Sequence, residues 1–430
     1  MISNFKFSLI TLSFVLTLII GFLSEWIQET GLIVFPLGFR HLIIIALFVV
    51  NWFFFGKKIE LPQKYFFCSL LFFIYLLIAF FFSKASMFNY ILGIFFSTLF
   101  GFLFVVALNI RTRRMVIIGM LKYVLIFFLV MSIFPMGQGL IAGSTLREFY
   151  GLFRELGAFG AAMNIATIIS ISLYIITSNK KYLYVAAFFS VGVMMTILKK
   201  TMISNVIVWL FFFIYHAKST AKLRLIFLSF LLLVIGYFFI GKELGDNIQE
   251  NSEYLDKFGP EEHVRLGMYI ASFNIITDYF PFGSGMGTFA SLSSITGGYS
   301  QIYYDYGVSN IGANSPEEVA LGHHTLLDTY WPHIFGELGF LGTILFLYLW
   351  FFPIKLAFVC LKTTEDPFIK GVSFYILLMV ITMTWEGFTL YTPEIPSFVL
   401  LHSGLSGLCY YHLKANSSED LEVPIDNSIV

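Results

Sequence analysis

The chain has 430 residues, 58% of them hydrophobic and 12% charged, with a mean hydropathy of +0.83. A soluble domain carries about 45–50% apolar and about 25% charged residues, so this much apolar surface cannot be wrapped in a water-compatible shell. That excludes a soluble enzyme, a disordered chain and a nucleic-acid binder; with 26 basic against 26 acidic residues, electrostatic meaning lies in where the charges sit.

A membrane-crossing helix needs about 20 apolar residues, because backbone groups in lipid must be bonded internally. In chain order the apolar runs predict twelve spans, at roughly 7–26, 34–55, 65–82, 88–108, 115–135, 158–177, 182–198, 202–216, 224–241, 336–354, 371–388 and 396–413. Only Lys6 precedes the first run and no A-x-A cleavage pattern follows it, so it reads as a retained span. With the N-terminus in the cytoplasm, 16 of the 26 basic residues fall on the cytoplasmic side and nine outside, Lys122 lying within a span. The expected fold class is therefore an all-α polytopic membrane protein of about 12 transmembrane helices with both termini cytoplasmic. Residues 1–241 form an N-terminal bundle of about nine spans, 242–335 a large extracytoplasmic loop, 336–413 about three further spans, and 414–430 a polar cytoplasmic tail. Cys68, Cys360 and Cys409 lie in or beside apolar runs, which leaves no disulfide framework and no cysteine metal site.

The loop 242–335 holds twelve acidic and three basic residues. Within it Val264, Met268, Ala271, Ile275 and Tyr279 recur at helical spacing, which predicts an amphipathic helix over His263–Phe280, expected to lie on the outer membrane surface. The Gly-, Ser-, Tyr- and Asn-rich stretch Ser291–Asn314 reads as mobile coil.

Four constellations could carry chemistry. Gly283, Gly285 and Gly287 alternate in PFGSGMGTF; the simpler reading is a flexible turn, the functional one an anion nest of backbone N–H groups. Arg40, Arg147, Arg154, Lys199, Lys200 and Arg265 sit outside against the positive-inside bias. Neighbouring carboxylates could pair with them, Arg265 with Glu261 or Glu262; jointly they suggest a polyanion site, since guanidinium forks match phosphate oxygens. His323, His324, Asp328, His333 and Glu337 cluster at the entry to the tenth span, where His324 and Asp328 are four apart and would share a helix face as a general base and its neighbour; a belt of interfacial His, Tyr330 and Trp331 is the plainer reading. The helical H-E-x-x-H spacing is absent and no metal is expected. Glu386, in Trp385-Glu386-Gly387, reads as an interface carboxylate more readily than as a buried acid, and His41 and His402 as core or interface residues.

In this order the motifs resemble the O-antigen polymerase and O-antigen ligase superfamily of the bacterial inner membrane. The resemblance rests on Arg265, then Pro281, Gly283, Gly285, Gly287 and Phe289, then His324 and Asp328, then Glu337, Gly339 and Gly342, with Gly151-Leu152-Phe153 near Arg154 in an earlier outer loop. Where the family often has Ser-Arg, this chain has Lys199-Lys200-Thr201, which keeps the charge and loses the bidentate fork. Asp328-Thr329-Tyr330 stands where many polymerases show an Asp-Asn-x-Tyr-like element, which favours polymerase over ligase. The resemblance implies a periplasmic setting for the loop and a metal-independent glycosyltransferase without cofactor, whose donor is a glycan linked through pyrophosphate to a polyprenyl lipid. It further implies Arg265, with Lys200, Arg147, Arg154 and Arg40, on the pyrophosphate, and His324, with Asp328 as runner-up, at the acceptor hydroxyl, so that His324, Asp328 and Arg265 form the catalytic set. Membrane lipid and a chain-length regulator protein are the other implied partners, and no nucleic acid is. Transfer to lipid A–core, the ligase reaction, is the first alternative product. A multi-span transporter is the second; against it, spans six and seven are joined by only Thr177 to Lys181, and no internal repeat is visible.

Overall fold

The computed structural model describes residues 11, 14–20, 22, 39–55, 61–110, 112–142, 156–196, 198–216, 264–296, 298–312, 314–321, 325–388 and 395–419. All its regular elements are helical among these residues: α1 Phe39–Phe55, α2 Gln63–Phe80, α3 Met87–Leu108, α4 Arg114–Ala142, α5 Leu156–Thr177, α6 Lys181–Met195, α7 Lys199–His216, α8 Val264–Asp278, α9 Leu292–Thr296, α10 Gln301–Asp305, α11 Pro316–Ala320, α12 Trp331–Thr363, α13 Pro367–Glu386, α14 Pro396–Val399 and α15 Ser406–Glu419. A π-helical turn, Leu400–Leu405, joins the last two, and a 3-10 turn, Val308–Asn310, follows α10.

Six of the described helices are long and apolar enough to cross a membrane: Gln63–Phe80, Met87–Leu108, Arg114–Gly137, Leu156–Thr177, Trp331–Thr363 and Pro367–Glu386. They coincide with expected spans three to six, ten and eleven. The shorter apolar helices His41–Phe53 and Lys181–Met195 fall on spans two and seven, and α7 and α15 on spans eight and twelve. Span nine and most of span one lie outside the described residues. The final helix runs on to Glu419, past the expected start of the tail at 414.

The bundle is organised around α5 and α13. Both are apolar on every side and buried on nearly every side, as a helix surrounded by other helices must be. By contrast, α2 turns Phe66, Phe67, Leu70, Phe73, Ile74 and Leu77 outward, Phe67 and Phe73 to more than half of their surface. So wide an exposed apolar face fits a lipid environment. At one end of the bundle Arg114 pairs with Asp366 and Thr112 meets His412 at 3.3 Å. The opposite end, where α2 turns into α3 and α13 finishes, carries the folded segment 264–330 as a cap.

Two expectations about that cap need correcting. The helix predicted over His263–Phe280 is present as Val264–Asp278, but its apolar stripe does not rest on a membrane surface. Met268, Ala271 and Ile275 are at most 4% exposed and join a core with Phe289, Ile302, Tyr303, Val308, Ile311 and Leu326; the residues α8 turns outward include Phe273 and Leu266. Nor is Ser291–Asn314 coil: it folds into α9, α10 and the 3-10 turn, with Ser293, Ser294, Tyr303 and Asn314 fully buried. Hydroxyl pairing and aromatic burial supply the order that Gly and Ser content concealed. The Ala290 N–H donates to Tyr303 Oη at 2.8 Å, Tyr303 Oη lies 2.6 Å from Ser294 Oγ, and the Tyr299 hydroxyl donates to the Asn314 carbonyl at 2.5 Å.

The glycine run locks the cap onto the bundle. Gly283, Gly285 and Gly287 all have positive φ, as does Gly339 in α12. At Gly283 the loop backbone lies directly on the backbone of Gly336, Glu337 and Gly339, leaving no room for a Cβ. Ser284 and Gly285 donate their N–H groups to the carbonyls of Gly336 and Glu337 at 3.0 and 3.1 Å, and Lys84 donates to the Ser284 carbonyl at 2.9 Å. Hence the run is neither a flexible turn nor an open anion nest. Just past the run, the buried Glu337 carboxyl accepts from Phe289 N at 2.9 Å and from Ser291 Oγ at 2.6 Å.

Candidate functional site

Four consecutive residues at the end of α13 each hold a different segment. The Trp385 indole N–H donates to the Lys200 carbonyl at 3.0 Å. Glu386 Oε1 accepts from Asn164 Nδ2 at 3.4 Å. The Gly387 carbonyl accepts from Tyr330 N at 2.9 Å, and the Phe388 carbonyl from the Tyr269 hydroxyl at 3.0 Å. These bonds bring together the first turn of α7, the start of α5, the strap that leads into α12, and α8. Each segment brings a polar or charged residue: Lys200, Asn164, Asp328 and Arg265.

Arg265 and Asp328 meet, with Nη2 and Oδ2 3.7 Å apart and side chains 47% and 41% exposed. The local partners expected for Arg265, Glu261 and Glu262, lie outside the described residues. The strap holds Asp328 in place: Thr325 donates both its N–H, at 3.0 Å, and its hydroxyl, at 2.8 Å, to Oδ1 of buried Asn314, and Asp328 N donates to the Thr325 carbonyl at 3.1 Å. Partial burial pushes the Asp328 carboxyl up from its ordinary value, against the opposing pull of Arg265 and then Lys200. Asp328 therefore has more proton affinity than a carboxylate on open surface and remains open enough to meet a ligand.

The same helix end also carries a sealed polar layer. Glu386, Asn164, Thr201 and Asn205 are at most 1% exposed. Asn205 Nδ2 donates to Asn164 Oδ1 at 3.0 Å, and Asn164 Nδ2 donates to the Thr201 carbonyl at 2.9 Å as well as to Glu386. The charge of Lys200 acts on Asp328 and on Glu386 alike. Glu386 is thus a buried acid and not the interface carboxylate expected from its position. It was missed because burial is decided by residues far away in sequence; Asn164 and Asn205, two amides inside apolar spans, were the available signal. The aromatic-belt reading of Tyr330 and Trp331 is corrected too: both are 2% exposed, packed against Trp350. His333 and His402 are likewise buried, His402 stacked on Trp350 with ring centroids 4.4 Å apart.

Of the other expected site residues, His324, Arg147 and Arg154 lie outside the described residues, and Arg40 stands in the first turn of α1 with its side chain outside them. Among the described residues no three His, Cys, Asp or Glu side chains are grouped so as to hold a metal ion. Chemically the arrangement offers two cations, one accessible carboxylate and one sealed carboxylate at one end of the bundle. No known family model matches the chain, and no curated protein matches it either.

Proposed function

We propose that the chain polymerises polyprenyl-pyrophosphate-linked oligosaccharide repeat units into O-antigen, capsular or exopolysaccharide, at the outer face of the bacterial cytoplasmic membrane. In this reading the chain crosses that membrane about twelve times, with the cap in the periplasm. The observation that carries the reading is the pairing of Arg265 with Asp328 under the shared charge of Lys200: cations suited to a diphosphate stand beside a carboxylate of raised proton affinity. The ordered motifs from Arg265 to Gly342, which include this pair, support it as well.

The chemistry needs no nucleotide. A hydroxyl of the fresh lipid-linked unit attacks the anomeric carbon of the growing glycan. The new glycosidic C–O bond forms as the bond to pyrophosphate breaks, and the electron pair leaves on polyprenyl pyrophosphate. Arg265 and Lys200 stabilise the negative charge that develops there, while Asp328, with His324 as the other candidate, takes the hydroxyl proton. A donor aimed at developing charge is worth about 10²–10³ in rate, so both cations have a clear energetic task.

The test is reconstitution. The purified chain, placed in vesicles with lipid-linked repeat units on one leaflet, should lengthen the glycans without moving them across the bilayer. Translocation without lengthening would establish the transporter alternative and defeat the proposal, and lengthening only when lipid A–core is supplied would establish the ligase.

A further inference from the structure

The sealed layer has a feature that the transfer chemistry leaves unused. Glu386 is 0% exposed, and its Oε1 is held by Asn164. Its Oε2 has no hydrogen-bond partner among the described residues. A buried carboxylate oxygen without a donor is costly unless a cation stands near it, and the cation whose charge acts on Glu386 is Lys200. The Lys200 backbone is pinned at the same place by Trp385, the residue before Glu386. The Lys200 backbone is thus fixed beside Glu386, and the Lys200 charge acts on two carboxylates of different kind. Asp328 is half-exposed and already paired with Arg265, so an incoming anion can displace it. Glu386 is out of reach of any ligand and stays.

We propose that Glu386 is a positioning residue, whose sealed carboxylate holds the Lys200 ammonium at the depth where it and Arg265 grip one diphosphate group. The inference rests on the reading of the Arg265–Asp328–Lys200 cluster as a diphosphate site. It also accounts for a lysine serving where a guanidinium fork would be the usual choice: an ammonium is a flexible point charge on a long stem and gains most from a fixed counter-charge beneath it.

The experiment uses the full chain in detergent, with inorganic pyrophosphate as probe and binding read by calorimetry. Glu386→Gln keeps the shape and an acceptor for Asn164 while removing the charge; it should weaken pyrophosphate binding about tenfold. Glu386→Asp keeps the charge and should recover most of that loss. Lys200→Met should weaken binding as much as Glu386→Gln, and adding Glu386→Gln to Lys200→Met should cost nothing more, since the carboxylate acts through the lysine. Equal losses in Glu386→Gln and Glu386→Asp, or losses that add in the double variant, would reduce Glu386 to a packing role and overturn the proposal. Unchanged binding in Glu386→Gln beside a clear loss in Lys200→Met would overturn the positioning role alone. Wild-type binding in both Lys200→Met and Arg265→Ala would overturn the diphosphate site itself, and with it the glycan-transfer reading.

Discussion

Replacing Gly283 with Ala tests the interlock that seats the cap. The backbone there has φ +72°, and an added Cβ would lie 2.5 Å from the Gly336 carbonyl oxygen and 2.7 Å from that of Glu337. Left-handed backbone costs a non-glycine residue about 1–2 kcal/mol. Overpacking against immovable backbone costs about 1–3 kcal/mol. Relief comes only by pulling the loop away, which breaks the bonds from Ser284 and Gly285 to α12 at about 1 kcal/mol each. The expected loss is about 4–7 kcal/mol of docking free energy. Gly307→Ala is the matched control, since φ is +69° there and nothing lies within 4 Å of the added Cβ; strain alone should cost it about 1–2 kcal/mol. Limited proteolysis with mass-spectrometric mapping reads the difference, because cleavage of a folded segment follows the population of its open form. Strain is common to both variants, so the remaining difference of about 3–5 kcal/mol should let Gly283→Ala be cut within 281–330 about 10²- to 10⁴-fold faster than Gly307→Ala. Equal rates would refute the interlock and restore the flexible-turn reading.

Two further outcomes follow from the site and its support. Glu337→Ala strips the acceptor from Phe289 N and Ser291 Oγ, each buried donor so abandoned costing about 1–3 kcal/mol, so the detergent melting temperature should fall well below that of Glu337→Gln, which retains an acceptor; equal melting temperatures would contradict the clasp. Because partial burial raises the Asp328 pKa in the folded state, its ionisation opposes folding: the stability Asp328 contributes is full below the pKa of an unfolded Asp and is lost as pH rises through the raised value. Asp328→Asn escapes that loss, so its melting temperature relative to wild type should be higher at neutral pH than under acid conditions, and the opposite trend would mean that Arg265 and Lys200 outweigh burial.

Local periodicity carried the parts of this fold that depend on local pattern. The apolar runs marked the helices because length and composition decide whether a segment can cross a bilayer, and the spacing of Met268, Ala271 and Ile275 marked α8 and its buried face. What covers that face was not legible: an amphipathic stripe looks the same whether it meets lipid or the Phe289–Tyr303 core. The glycine run was visible as a pattern, but whether it flexes or locks depends on Gly339 and the α12 backbone, more than fifty residues downstream. Arg265 was recognisable as a cation needing a partner. That Asp328 meets it depends on the turn that Asn314 imposes on Thr325, which no local pattern around Arg265 announces. Glu386 was the hardest to read, because the same three letters, Trp-Glu-Gly, describe an interface carboxylate or a sealed one, and Asn164 and Lys200 decide between them from other helices.

The central claim, that Arg265 belongs to a glycan-transfer site, is tested most directly in cells that depend on this chain for their surface polysaccharide. Arg265→Ala, with membrane expression verified, should collapse the polysaccharide ladder on a gel to single repeat units, the polymerisation rate falling about 10²-fold or more. A ladder of normal length and intensity would contradict the account.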